Sequence, residues 1–166
     1  MPAKTDSSER MDFIMPEILV QILRWALPMA CGWIAAQAFK MILFAIQKKP
    51  LDLFCSGGMP STHTSSAIAM VTHIAITEHF TGGTFALALV FGIVTAFDAC
   101  NVRLQCGRVT EKVNVLIDKM YASDDPEKPE KLKVIKGHTI PEVLAGAVIG
   151  AAVGVVYTLV EMKIFA

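Results

Sequence analysis

Two histidines in this chain stand in the same local setting. His63 ends the run Gly57-Gly58-Met59-Pro60-Ser61-Thr62-His63, and His138 lies within Gly137-His138-Thr139-Ile140-Pro141-Glu142. Each follows a small, turn-forming stretch and precedes a strongly apolar segment, which puts both imidazoles at helix N-termini. A helix start offers unpaired backbone N–H groups and the positive end of the helix dipole, and glycine lets an anion approach the main chain. Two such starts facing each other make a phosphoryl-transfer site, where one imidazole attacks phosphorus and the other protonates a leaving oxygen.

Other polar residues gather near the same ends of the apolar segments: Lys40, Lys49, Ser61, Asp98, Arg103, Asn114 and Glu142. Cations and N–H donors drawn from several helix ends can hold a phosphate carrying several negative charges. Arg103 suits two phosphate oxygens better than a lysine does, because its guanidinium is a fork. Asp98 and Arg103 can equally form an ion pair at the end of a span, and Asn114 can anchor a loop.

The elements that must position these residues are membrane helices. A 166-residue chain is about the size of one domain. Its 54% hydrophobic content and mean hydropathy of +0.52 lie far above those of soluble proteins. Residues 27–46 carry one charge, Lys40, over about the 20 residues needed to cross the hydrocarbon. The apolar stretch 13–26, with Glu17 and Arg24, reads as an extension of that helix, bent at Pro28. Further spans are expected over residues 61–80, from residue 84 to Asp98 with helix continuing toward 101–105, and over 140–165. The fold class is therefore all-α, an integral membrane helical bundle of about four to five transmembrane helices. Residues 1–12 read as a disordered tail without a cleaved-signal pattern, residues 13–166 as a single domain, and 121–131 as a flexible loop.

If each apolar segment crosses once, the polar stretches 47–60 and 101–139 share one face. That face holds Lys48, Lys49, Arg103, Arg108, Lys112, Lys119, Lys128, Lys131, Lys133 and Lys136, which predicts that it is cytoplasmic. The 15 basic and 15 acidic residues cancel, giving no support for a nucleic-acid partner. Four cysteines without CxxC spacing indicate neither a zinc site nor a disulfide framework. No metal or cofactor is expected.

The ordered motifs Gly-Gly-Met-Pro-Ser-Thr-His, then Asp98-Ala99-Cys100-Asn101-Val102-Arg103 with Gly107 and Asn114, then Gly137-His138-Thr139 with Glu142 and Gly146, resemble the divergent branch of the type 2 phosphatidic acid phosphatase superfamily. This superfamily also contains acid phosphatases and vanadium haloperoxidases. The resemblance spans roughly residues 37–150. It implies a metal-independent phosphatase with a phosphohistidine intermediate and a phospholipid or isoprenoid phosphate as substrate. In that light Lys40 and Lys49-Pro50 answer to the first motif, though with eight residues between the lysines where the family usually has six before its arginine. Pro60-Ser61-Thr62-His63 answers to the second, with Thr62 for glycine and His63 as the general acid. His138 and Glu142 answer to the third, with glutamate for aspartate.

The resemblance makes His138 the nucleophile, with Glu142 accepting a hydrogen bond from its far ring nitrogen. Arg103 replaces the third motif's missing arginine. Ser61, Thr62 and Gly137 then belong to the phosphate-binding set, and Gly58 supports it. The departures from the family pattern favour an alternative, a non-catalytic transporter or assembly factor that retains an anion pocket.

Some of these residues also have plain structural readings. Thr139-Ile140-Pro141-Glu142 is a capping box with proline in the first turn, and Lys40 can snorkel to the interface. His73 and His79 lack the setting of the other two histidines and read as structural. Gly146, Gly150 and Gly154 form one ridge at every fourth residue, which predicts close helix packing that holds His138 opposite His63.

Overall fold

The computed structural model describes residues 6–48, 58–122 and 125–164, with side chains from residue 17 onward except residue 18. It contains α1 (Asp6–Ile46), α2 (Thr62–Thr77), α3 (Gly82–Phe97), a π-helical turn (Asp98–Val102), α4 (Arg103–Met120) and α5 (Ile140–Ile164). Among the described residues there is no strand, so the all-α expectation holds. α1 is one helix through Pro28, as the sequence suggests. It begins at Asp6, so residues 6–12, expected to belong to a disordered tail, are helical.

Among the described residues, three stretches are long and apolar enough to cross a membrane: Leu19–Ile46, Gly82–Met120 and Ile140–Ile164. α2 has 16 residues, about 24 Å of helix against about 30 Å of hydrocarbon. It sits at the centre of the bundle and packs against α1, α3 and α5. The outer helices turn large apolar side chains outward, among them Leu87, Val148 and Val156, each more than 60% exposed. An apolar surface of that extent requires lipid around it.

Lipid is as apolar as leucine, so close packing and hydrogen bonds hold these helices together. A Cβ on Gly146 would run into the Ser61 carbonyl, one on Gly150 into the Ser65 carbonyl, and one on Gly154 would lie 2.6 Å from the Ala69 carbonyl. The expected glycine ridge is thus the seam between α5 and α2. Ser65 Oγ also donates to the Gly32 carbonyl at 2.8 Å and Ser66 Oγ to the Met29 carbonyl at 2.9 Å, joining α2 to α1. Val71, Ile74 and Ala88 form a small core with Trp25, Met70 and Phe85.

The antiparallel order brings the end of α1, the start of α2, the end of α3 and the start of α5 to one end of the bundle. The 101–139 region is more structured than a polar loop. Helix continues from α3 through the π turn into α4, and the chain returns along α4 in extended form. Asn114 clamps this return segment: its Nδ2 donates to the Leu132 carbonyl and its Oδ1 accepts from the Leu132 N–H, each at 2.8 Å. Asp118 adds ion pairs with Lys128 and Lys131, so part of the expected flexible loop is tied to α4.

Candidate active site

His63 is the second residue of α2, and His138 lies two residues before α5. Both line one cleft of about 400 Å³, together with Lys40, Thr62, Asp98, Arg103 and Lys136. Phe91, Val94 and Thr95 of α3 form its apolar wall.

Local structure explains how each side chain arrives. Ser61 caps α2: its Oγ accepts from the Thr64 N–H at 3.4 Å and lies 3.0 Å from Thr64 Oγ1. It is fully buried and outside the cleft lining, so its hydroxyl shapes the helix start rather than meeting the ligand. The Ser61 N–H donates to the Glu142 carbonyl at 3.0 Å, fastening the start of α2 to the start of α5.

His138 is held from the other side. In a π turn the Arg103 N–H reaches back five residues to the Asp98 carbonyl, and this wider ladder leaves the Ala99 carbonyl free for another donor. That donor is the His138 N–H, at 3.0 Å. Gly137 permits the approach, because a Cβ there would run into the backbone of Leu104. Gly107 does the same one helical turn on, facing the Ile135 carbonyl. Gly137 is therefore a packing glycine rather than part of the cleft wall. Asn114 acts through the Leu132 clamp, outside the cleft.

Lys40 is buried at 3% exposure, yet lines the cleft from α1. Gly58, with a φ of +87° that suits glycine, lies over its Cε. Arg103 Nε donates to Asp98 Oδ2, which fixes the guanidinium and leaves its two terminal nitrogens for an anion. Lys49, the other first-motif lysine, lies outside the described residues.

One expected contact is not made. Glu142 Oε2 accepts the Thr139 N–H at 2.9 Å, while His138 Nδ1 is buried without a hydrogen-bond partner among the described residues. The carboxylate is drawn to an orphan N–H at the start of α5, as in a capping box. It acts on His138 through space instead. Burial lowers the His138 pKa, and Lys40, His63 and Arg103 add to the effect against the upward pull of Glu142. The shift favours the neutral form of the ring.

Sequence reasoning did not single out Lys136, Phe91 or Thr95 for the cleft, nor the π turn that receives His138. The glycine pair Gly107 and Gly137 was the available signal for a close backbone crossing. No group of three or more metal-ligating side chains occurs among the described residues. The three free cysteines described, Cys31, Cys100 and Cys106, lie outside the cleft lining.

No solved structure matches this chain. The chain is 32% identical over 130 residues to a Bacillus subtilis (strain 168) protein named as the uncharacterized membrane protein YuiD. The match covers 70% of this chain and 82% of that protein. Residues 21–153 match the model of the Divergent PAP2 family. This span includes every residue that lines the cleft, and the chain belongs to that family of membrane proteins.

Proposed function

We propose that this protein is a membrane lipid phosphatase. It hydrolyses a lipid phosphomonoester or diphosphate of the phosphatidic acid, phosphatidylglycerol phosphate or polyprenyl diphosphate type, through a phosphohistidine and without a metal. The observation that carries this reading is the shared cleft, where two histidines and three cations meet beside a wall of lipid-facing helix. Phe91 and Val94 are more than half exposed, so the substrate's tail lies along α3 while its phosphate enters among Lys40, Arg103 and Lys136.

His138 attacks phosphorus through Nε2, because its Nδ1 is buried. The bond from phosphorus to the lipid oxygen breaks, and His63 gives that oxygen its proton. Water then attacks the phosphohistidine and passes a proton to His63. Inorganic phosphate leaves and both histidines are restored. Glu142 stabilises the positive charge that develops on His138. The basic residues at this end favour a cytoplasmic site.

A second reading, an anion-binding transporter or assembly factor without turnover, draws support from His138 Nδ1, which has no carboxylate partner among the described residues. A panel of lipid phosphates separates the two. Phosphate release that resists chelator, is blocked by vanadate and is abolished by His138→Ala supports the enzyme. Phosphate binding or flux without release supports the alternative.

A further inference from the structure

The other end of the bundle holds a second cluster of ionisable groups, about 28 Å along α5 from Glu142. His73 of α2 is fully buried, and Glu161 of α5 is 7% exposed. His73 Nδ1 lies 3.0 Å from Thr158 Oγ1, and Thr158 Oγ1 donates to the Gly154 carbonyl at 2.7 Å. Thr158 has one hydroxyl hydrogen, and the shorter contact takes it. Nδ1 must then supply the hydrogen to Thr158, which leaves Nε2 of a neutral ring as an acceptor. Nε2 faces Glu161 Oε2 at 3.7 Å, and both atoms are buried without a hydrogen-bond partner among the described residues.

Two lone pairs facing each other inside a membrane protein are costly. The gap is too long for a direct hydrogen bond, and too short for a bridging water, which would set the two acceptors about 4.4 Å apart. One added proton, carried as Nε2–H toward the carboxylate, satisfies both atoms once α2 and α5 close the gap to hydrogen-bond length. The groups around the pair fit that ligand. From α1, Arg24 Nε pairs with the other Glu161 oxygen at 2.7 Å. Tyr157 of α5 and Trp25 of α1 stand edge-on to the His73 ring at 5.3 and 5.4 Å. α1 also carries Cys31, and α3 carries no titratable residue. A cleft of about 330 Å³ lined by Gln21, Arg24, Leu27, Tyr157 and Glu161 gives the pair a route for exchange.

We infer that His73 and Glu161 form a proton-binding site, separate from the phosphate cleft and at the opposite end of the bundle. The bound proton sits between His73 Nε2 and Glu161 Oε2, and Thr158 fixes the ring orientation that receives it. The pair gives the bundle a second ligand, one that draws α2 and α5 together when bound.

Trp25 reports the site, because a protonated imidazole quenches an adjacent indole. In a Trp33→Phe background in nanodiscs, Trp25 fluorescence is followed from mildly acidic to mildly alkaline pH. The expected result is a single-proton transition that vanishes in His73→Gln and moves to lower pH in Glu161→Gln. Thr158→Val removes the acceptor for Nδ1–H and is expected to move the midpoint to lower pH as well, which keeps the inference testable if His73→Gln fails to fold. A flat profile in the Trp33→Phe protein would overturn the inference, since it means that Thr158 donates to the ring and the neutral ring already donates to Glu161. A transition unchanged by Glu161→Gln would overturn it too. Neither readout depends on turnover at His138.

Discussion

The Ser61 N–H donates to the Glu142 carbonyl at 3.0 Å, so the start of α2 is fastened to the start of α5 close to both histidines. His63 follows Ser61 by two residues, and His138 precedes Glu142 by four. Neither histidine has to reach far, because the two helix entrances meet before the side chains do. Gly146 makes the meeting possible by removing the atom that would collide with the Ser61 carbonyl.

Gly146→Leu is therefore expected to wedge the entrances apart. Overpacking of this kind costs about 1–3 kcal/mol of stability, and a shift of about 1 Å at the chemistry costs on the order of 100-fold in turnover. Gly83→Ala is the control, since nothing lies within 4 Å of its Cβ position. Thermal unfolding and lipid-phosphate hydrolysis in the same detergent check both variants. Normal turnover by folded Gly146→Leu contradicts the role given to the seam.

Arg103 is expected to matter for its shape as well as its charge. Arg103→Lys keeps the cation but loses the fork and the Asp98 contact, and is expected to raise KM roughly 10-fold, the scale of one charge-assisted hydrogen bond. Asp98→Asn leaves the guanidinium charged but loosely held, so its effect is expected to be smaller and to disappear in the Arg103→Lys background. A double-mutant cycle on kcat/KM measures this coupling, and simple additivity would contradict it.

Much of the arrangement was legible because membrane helices declare themselves. Long apolar runs located α1, α3 and α5, and the recurring Gly146, Gly150 and Gly154 announced the seam with α2. His63 and His138 were legible from their place at helix starts. What periodicity could not show was the backbone route between them. The π turn at Asp98–Val102 arises from a local change of hydrogen-bond register that leaves the Ala99 carbonyl for His138, and no residue type encodes such a change. The expected Glu142 to His138 bond failed because a nearer orphan N–H, that of Thr139, competes for the carboxylate. His73 read as structural because its partners, Thr158 and Glu161, lie on a helix far away in sequence.

The acidity of His138 gives a pH prediction. Its pKa is lowered from the ordinary 6.5, first by burial and then by the cations around it. The neutral, nucleophilic form therefore persists as pH falls past 6.5, and the acid limb of kcat/KM is expected below that value. Glu142→Gln removes the upward pull, so its acid limb is expected to lie lower still. The substrate's own ionisation is common to both proteins and cancels in the comparison. An acid limb that moves upward in Glu142→Gln would contradict the assignment.

Asn114 is expected to hold the return segment that carries His138. Asn114→Ala removes both hydrogen bonds to Leu132, at about 1 kcal/mol each. Hydrogen exchange at the Leu132 amide is expected to speed up several-fold, with a fall in kcat that does not require loss of overall fold. Unchanged exchange at Leu132 would show that the ion pairs of Asp118 hold the segment without the clamp.

The central claim is that His138 takes the phosphoryl group from a lipid within the cleft it shares with His63. Rapid acid-free quenching of protein mixed with a lipid bearing radiolabelled phosphate, followed by peptide mapping, tests it directly. The predicted result is label bound at residue 138, acid-labile and base-stable, and absent from His138→Ala. Full release of inorganic phosphate by His138→Ala, or label carried by another residue, would contradict the account.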